Sequence, residues 1–267
     1  MRISVSLMPQ LSGDTSNSVC LVIDVLRATT CIATLFSRKC PRVYVSPSYE
    51  GARTFARQRG YALCGEVGGV RVEGFDFGNS PSEFEKLDFS GRPAVICTTN
   101  GTRAITTVSQ APYVLPAAAV NCGAVTEAAV RIAAESDREI NIVCSGTDHE
   151  FTLEDAVVAG MYVERIASMT GSNLPLEFAD SAILVRRIFQ KDPSLLRNWM
   201  EGFHARRLCD LGFGEDVAYS AQIDSLQCVP ILVTERDADK VDSPVLIVPG
   251  CLCHKKQHGY SLLLQNA

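Results

Sequence analysis

The stretch VIDVLRATT, residues 22–30, ends an apolar run in an acid and a base and then opens into small hydroxyl residues. The run over 19–25 is too short for a helix and rich in β-branched residues, so it predicts a strand buried on both faces, as parallel strands are. Asp24 then stands at the carboxyl end of that strand, where ligands bind in open α/β sheets. Arg27 follows three residues later. Thr29 and Thr30 come at the start of a helix expected over 27–37, where hydroxyls and free backbone N–H groups can hold an anion. A plainer reading has Asp24 capping the helix and Arg27 pairing with a surface carboxylate. On this stretch alone both stand.

Outward from it, strands alternate with helices. Residues 2–8 predict a first strand and 42–46 another, before a helix over 49–59 that Gly60 stops. A strand over 61–66 runs into a long glycine-rich stretch read as a functional loop. Ser80 and Pro81 then start a short helix. Residues 93–98 repeat the central pattern and end in TTNGTRA (98–104). A strand over 113–118 leads to a helix through residue 135 capped by Asn121, and a strand over 139–145 to a helix over 152–169 capped by Thr152. Two further helices are expected over 177–190 and 194–211, a short one over 214–223, and late strands over 229–234 and 244–248 at a sheet edge.

With 46% hydrophobic and 21% charged residues the composition is that of an ordinary soluble protein, and a net charge of −5 argues against nucleic acid as a partner. No apolar run reaches the roughly 20 residues of a membrane helix, and the start lacks a signal pattern, so the expectation is a cytoplasmic protein with no membrane partner. The choice between monomer and homo-oligomer is left open. The 11 cysteines, an odd number scattered through apolar runs as at Cys20, Cys31, Cys97 and Cys144, read as reduced thiols filling the core. Cys251, Cys253, His254 and His258 lack the matching second pair that a zinc site needs.

Three strand-to-helix junctions carry reactive side chains: Asp24 with Arg27, Asn100 with Arg103, and 145–148 with Glu154 and Asp155 behind. The glycine-rich loop adds Glu66, Glu73, Asp76 and Asn79. If the strands are parallel neighbours, these groups meet at one sheet edge. Arginines and helix N-termini would then serve an anionic group beside carboxylates suited to a hard cation. That combination fits phosphate chemistry. The expected catalytic residues are Asp24, Arg27, Arg103 and Asp155, and a Mg2+ cofactor is expected on Asp24, Glu66 and Asp76. Substrate contacts fall to Thr29, Thr30, Asn79, Ser80, Thr99, Asn100, Gly101, Thr102, Ser145 and Gly146.

Several phosphate-handling devices are excluded by inspection. A haloacid dehalogenase nucleophile needs Asp two residues after the first, where Leu26 stands. A cysteine phosphatase needs Arg six residues after Cys, and Glu150 follows Cys144 at that distance. Neither a P-loop nor a strand-borne GxGxxG is present.

In order, VIDVLRATT, GEVGG (65–69), GFDFGNSP (74–81), TTNGTRA and SGTDHEFTLEDAVVAG (145–160) resemble the motifs of the 2-phosphosulfolactate phosphatase family. Weaker similarity continues in DLGFGEDVAYSAQID (210–224). The resemblance implies a Mg2+-dependent hydrolase of coenzyme M biosynthesis that splits 2-phospho-3-sulfolactate into 3-sulfolactate and phosphate. It also implies one α/β domain over 1–267, in a three-layer α/β/α arrangement around a mixed, largely parallel sheet. Family members usually carry Arg after the Glu of the GE motif. Here Val67 takes that place and removes a cation. Two alternatives remain, a phosphatase for another small phosphorylated hydroxy acid and a non-catalytic anion-binding homologue. Asp24 is expected to bind the metal rather than attack phosphorus.

Overall fold

The computed structural model describes residues 1–170, 175–233 and 245–250. The chain starts with β1 (Arg2–Ser6) and β2 (Ser18–Ile23), and β2 is buried at every position, as its continuous apolar run requires. It stops one residue before Asp24. Helix α1 (Ala28–Ser37) follows, with 28–36 all buried, so it lies in the interior rather than on a surface.

Next come β3 (Val43–Val45), α2 (Tyr49–Arg59) and β4 (Ala62–Val67). Gly60 ends α2 in the left-handed region at φ 68°, a conformation that glycine adopts without steric cost. Most of the glycine-rich stretch is loop, but residues 68 and 69 reverse the chain so that β5 (Val70–Arg71) pairs antiparallel with the end of β4. Ser80 caps α3 (Pro81–Phe84) as expected, accepting from the Glu83 N–H at 3.2 Å. Then follow β6 (Ala94–Cys97), α4 (Gly101–Thr107), β7 (Tyr113–Ala117), α5 (Cys122–Ser136), β8 (Glu139–Cys144) and α6 (Leu153–Thr170). Two expected caps are not made. Asn121 turns its oxygen back to the Ala118 N–H at 2.9 Å, and the Thr152 hydroxyl is buried without a partner.

The helix expected from 177 begins as a strand, β9 (Glu177–Phe178), which pairs with β1, and only then becomes α7 (Asp180–Lys191). The long helix expected over 194–211 is two, α8 (Leu195–Glu201) and α9 (Phe203–Asp210), broken at Gly202, whose backbone is extended at φ −73° and ψ 156°. A short α10 (Gly214–Ser220) precedes β10 (Val229–Val233) and β11 (Val245–Gly250). The cysteine and histidine cluster at 251–258 lies outside the described residues.

The α/β expectation holds, with mostly parallel pairing, but the strands divide between two sheets rather than one. The first has order β7-β2-β8-β1-β9 and is wholly parallel. The second, β10-β11-β3-β6-β4-β5, is parallel over β3, β6 and β4 and antiparallel at both ends. Proline can occupy β10 because that strand is an edge. Alternate residues of β2 serve different cores: Val19, Leu21 and Ile23 join the cluster with α5 and α6, while Cys20 and Val22 join α1, α4 and the second sheet. Helices α1 and α4 therefore fill the space between the sheets. The outer face of the second sheet is covered by α2 through Ala52 and Ala56. All nine cysteines among the described residues are free thiols and seven are buried, as core-filling residues should be.

Candidate active site

Strand ends from both sheets converge on one cleft of about 260 Å³. β2 supplies Asp24, Leu26 and Arg27; β4 and its turn supply Glu66 and 67–69; the segment after β6 supplies Thr99 and Asn100. Asn79 comes from the glycine-rich loop, Thr147 and Asp148 from the loop after β8, and α9 closes one wall with His204, Arg207, Leu208 and Leu211. The meeting place is thus a seam between two sheets, not the edge of one.

Asp24 is held by its own turn. Its Oδ1 accepts the Ala28 N–H at 3.1 Å, its backbone N–H donates to Thr29 Oγ1 at 3.1 Å, and Thr29 Oγ1 donates to the Asp24 carbonyl at 2.9 Å. A Cβ at Gly101 would collide with the Asp24 carboxylate and with Ala28, so glycine lets the start of α4 approach this closely. Burial pushes the Asp24 carboxyl up to about 6; the Ala28 N–H and His204 oppose that rise, and the Glu66 charge adds to it. Glu66 is buried too, its two oxygens accepting from Gly69 N at 2.6 Å and Thr99 N at 2.8 Å, which clamps the β4 turn to the end of β6.

His204 approaches from α9, with Nδ1 2.8 Å from Glu154 Oε1. Burial pulls its pKa down, but the hydrogen bond to Glu154 and the charges of Glu154, Asp24 and Asp155 outweigh this and raise it above 6.5. The contact comes just after the break at Gly202, whose extended backbone ends α8 before α9 begins and where an added Cβ would stand 3.5 Å from Leu153 and 3.6 Å from Glu154. A protonated imidazole beside a buried carboxyl group is suited to proton transfer. Asp148 on the lining and His149 next to it both have positive φ, 51° and 68°, a strain that folds retain mostly where loops function.

The sequence profile of 2-phosphosulpholactate phosphatase matches residues 6–235. The chain belongs to the 2-phosphosulfolactate phosphatase family. A relative from Deinococcus radiodurans, named probable 2-phosphosulfolactate phosphatase, is 36% identical over 89% of this chain and 95% of its own. Relatives of the same name from Symbiobacterium thermophilum, 35% identical over 80% and 90%, and Carboxydothermus hydrogenoformans, 32% identical over 86% and 92%, agree. Members of this family named in that way are phosphoric monoester hydrolases, and so is this chain.

Within this phosphatase fold the residues expected from sequence divide sharply. Asp24, Arg27, Glu66, Asn79, Thr99 and Asn100 do line the cleft. Buried oxygens without partners occur at Asn79 Oδ1, Thr99 Oγ1 and Asn100 Oδ1. Arg27 is committed elsewhere, donating to Asp216 Oδ2 at 2.7 Å and the Gly69 carbonyl at 2.6 Å, with its guanidinium 4.2 Å from the Phe213 ring centre. The hydroxyls of Thr29, Thr30 and Thr102 are spent on backbone carbonyls, and Ser80 donates to Asp216 at 2.6 Å.

Asp155 does not line the cleft. It receives Val25 N–H at 3.0 Å, the Ser145 hydroxyl at 3.1 Å and Gly146 N–H at 3.2 Å, tying the loops after β2 and β8 together. Its burial, with Asp24 and Glu154 nearby, raises its pKa well above the usual range. Arg103 is also outside the lining, 3.5 Å from His149. Asp76 turns away altogether, accepting Leu63 N–H near the start of β4 and pairing with Arg92 at 3.1 Å. No group of three or more His, Cys, Asp or Glu gathers to hold a metal among the described residues, so the triad Asp24, Glu66 and Asp76 does not form.

His204, Arg207 and Asp216 are the residues that sequence reasoning missed. Asp216 lies inside the recognised 210–224 motif. His204 carried no local signal.

Proposed function

We propose that the protein hydrolyses the phosphate ester of 2-phospho-3-sulfolactate to 3-sulfolactate and phosphate, with Mg2+ as cofactor. Family membership and the names of the relatives support the substrate. The observation that carries the reading is the composition of the cleft around Asp24. Among the described residues it sets the acids Asp24, Glu66 and Asp148 against Arg27, Arg207 and His204, so the charges of these residues alone do not balance such a substrate. A phosphate ester carries about −1.5 to −2 at neutral pH, and the sulfonate and carboxylate each add a further negative charge.

The donors fit a hard cation. Asp24 and Glu66 would hold it with help from the unpartnered oxygens of Asn79, Thr99 and Asn100, an all-oxygen set of the kind Mg2+ takes together with water. Bound there, it would supply charge neutralisation at the phosphate oxygens. Asp24 Oδ1 already accepts the Ala28 N–H, which fixes the carboxylate and supports a holding role over direct attack on phosphorus. His204 keeps Nδ1 on Glu154 and gives the proton at Nε2 to the departing alkoxide oxygen.

The free buried thiols support a reducing, cytoplasmic setting. Among the described residues no helix is long and apolar enough to cross a membrane. The test is phosphate release from 2-phospho-3-sulfolactate beside phospholactate and phosphoglycolate, each with Mg2+ and with chelator. A preference for another hydroxy-acid ester would replace the substrate, and no release from any would replace the activity.

A further inference from the structure

The geometry points to Arg207 as the residue that receives the substrate's sulfonate at the mouth of the cleft. This rests on the phosphatase reading above and adds the residue that selects the substrate. Among the described residues three cations line the cleft, and two are already engaged: Arg27 is buried against Asp216, Gly69 and Phe213, and His204 is held by Glu154. Arg207 is the third. It lies three residues after His204 on α9 and so faces the same way. It is exposed, and among the described residues no carboxylate stands within ion-pair distance of it.

Its guanidinium lies over the β4 turn, with Nη2 3.5 Å from where a Gly68 Cβ would stand. Gly68 and Gly69, at positive φ of 60° and 92°, place no side chain on the turn beside that guanidinium, and all three residues line the cleft. Val67, beside it on the lining, contributes no charge.

The chemistry of the substrate chooses which acid group meets Arg207. With phosphate at the Asp24 end, the carboxylate is attached to the carbon that bears the ester oxygen, while the sulfonate is one carbon further out. It is therefore the group that reaches the rim. A planar guanidinium can give two parallel N–H bonds to a tetrahedral oxyanion, which a lysine cannot do.

The test compares 2-phospho-3-sulfolactate with 2-phospholactate, which differs only in lacking the sulfonate, in the wild type, Arg207→Met and Arg207→Lys. Arg207→Met should lower the ratio of the two kcat/KM values by about 10- to 100-fold, mainly through KM for the sulfonated substrate, with Lys in between. Equal losses on both substrates, or an unchanged ratio, overturn the assignment. Calorimetry with 3-sulfolactate separates the two layers: its affinity should fall by a similar factor in Arg207→Met, and equal affinity in both proteins again overturns the role. A wild-type protein that binds 3-sulfolactate yet releases no phosphate from its ester overturns the phosphatase reading alone.

Discussion

Replacing Asp24 by Asn should abolish turnover and at the same time stabilise the metal-free protein. Asn keeps an oxygen for the Ala28 N–H and nearly the same shape, but carries no charge into a site where burial has raised the carboxyl from 3.8 to about 6. An acid whose folded pKa is raised costs stability when ionised. The cost is absent well below the unfolded pKa, grows as pH rises towards the folded pKa, and is full above it. Integrated over that shift, it is about 3 kcal/mol near pH 8 and about half that near pH 5. Removing the charge also relieves Asp155, which Asp24 pushes further up. Urea denaturation in chelator at those two pH values should therefore show the variant more stable than wild type, with the gap wider at the higher pH. Adding Mg2+ should restore much of the difference to the wild type only. An unchanged gap between the two pH values, or a variant less stable than wild type near pH 8, would refute the reasoning. Near-normal turnover would remove Asp24 from the chemistry.

His204→Gln should lower kcat by about 10²- to 10⁴-fold with little change in KM. In the wild type, activity that needs the protonated imidazole should fall as pH rises through a pKa above 6.5, and steady-state profiles of the variant should lack that alkaline limb. Arg27→Met should leave the buried Asp216 unpaired and cost about 3–5 kcal/mol in chemical denaturation, a structural loss rather than a selective one. Arg103→Ala should change kcat/KM by less than about 5-fold, since a partly exposed arginine with one 3.5 Å contact is worth about 0–1 kcal/mol.

What was legible in the sequence was local. The continuous apolar run of β2, the left-handed stop at Gly60 and the Ser80 cap with Pro81 each follow from a few adjacent residues. Asp24 could be placed because strand-end position is itself a local property. The division into two sheets depends on pairings among distant strands, which a β–α rhythm does not specify. The two-residue β9 has no period to detect. Arg27 lines the cleft, and its tie to Asp216 could not be read locally, because Asp216 lies 189 residues away in sequence. Asp76 looked like a companion of Glu66 through loop proximity, yet its segment folds back along β4 to Leu63. His204 was hidden inside what read as one long helix. A lone glycine is tolerated in many helices, so Gly202 did not mark the break that its extended backbone makes here.

The most direct measurement is the rate of phosphate release from 2-phospho-3-sulfolactate by the wild-type protein, with excess Mg2+ and with EDTA. The proposed function predicts turnover with Mg2+, its loss in EDTA and its return when Mg2+ or Mn2+ is added back. Full activity in chelator would contradict the hard-cation site at Asp24 and Glu66, and a folded protein that releases no phosphate under either condition would contradict the account as a whole.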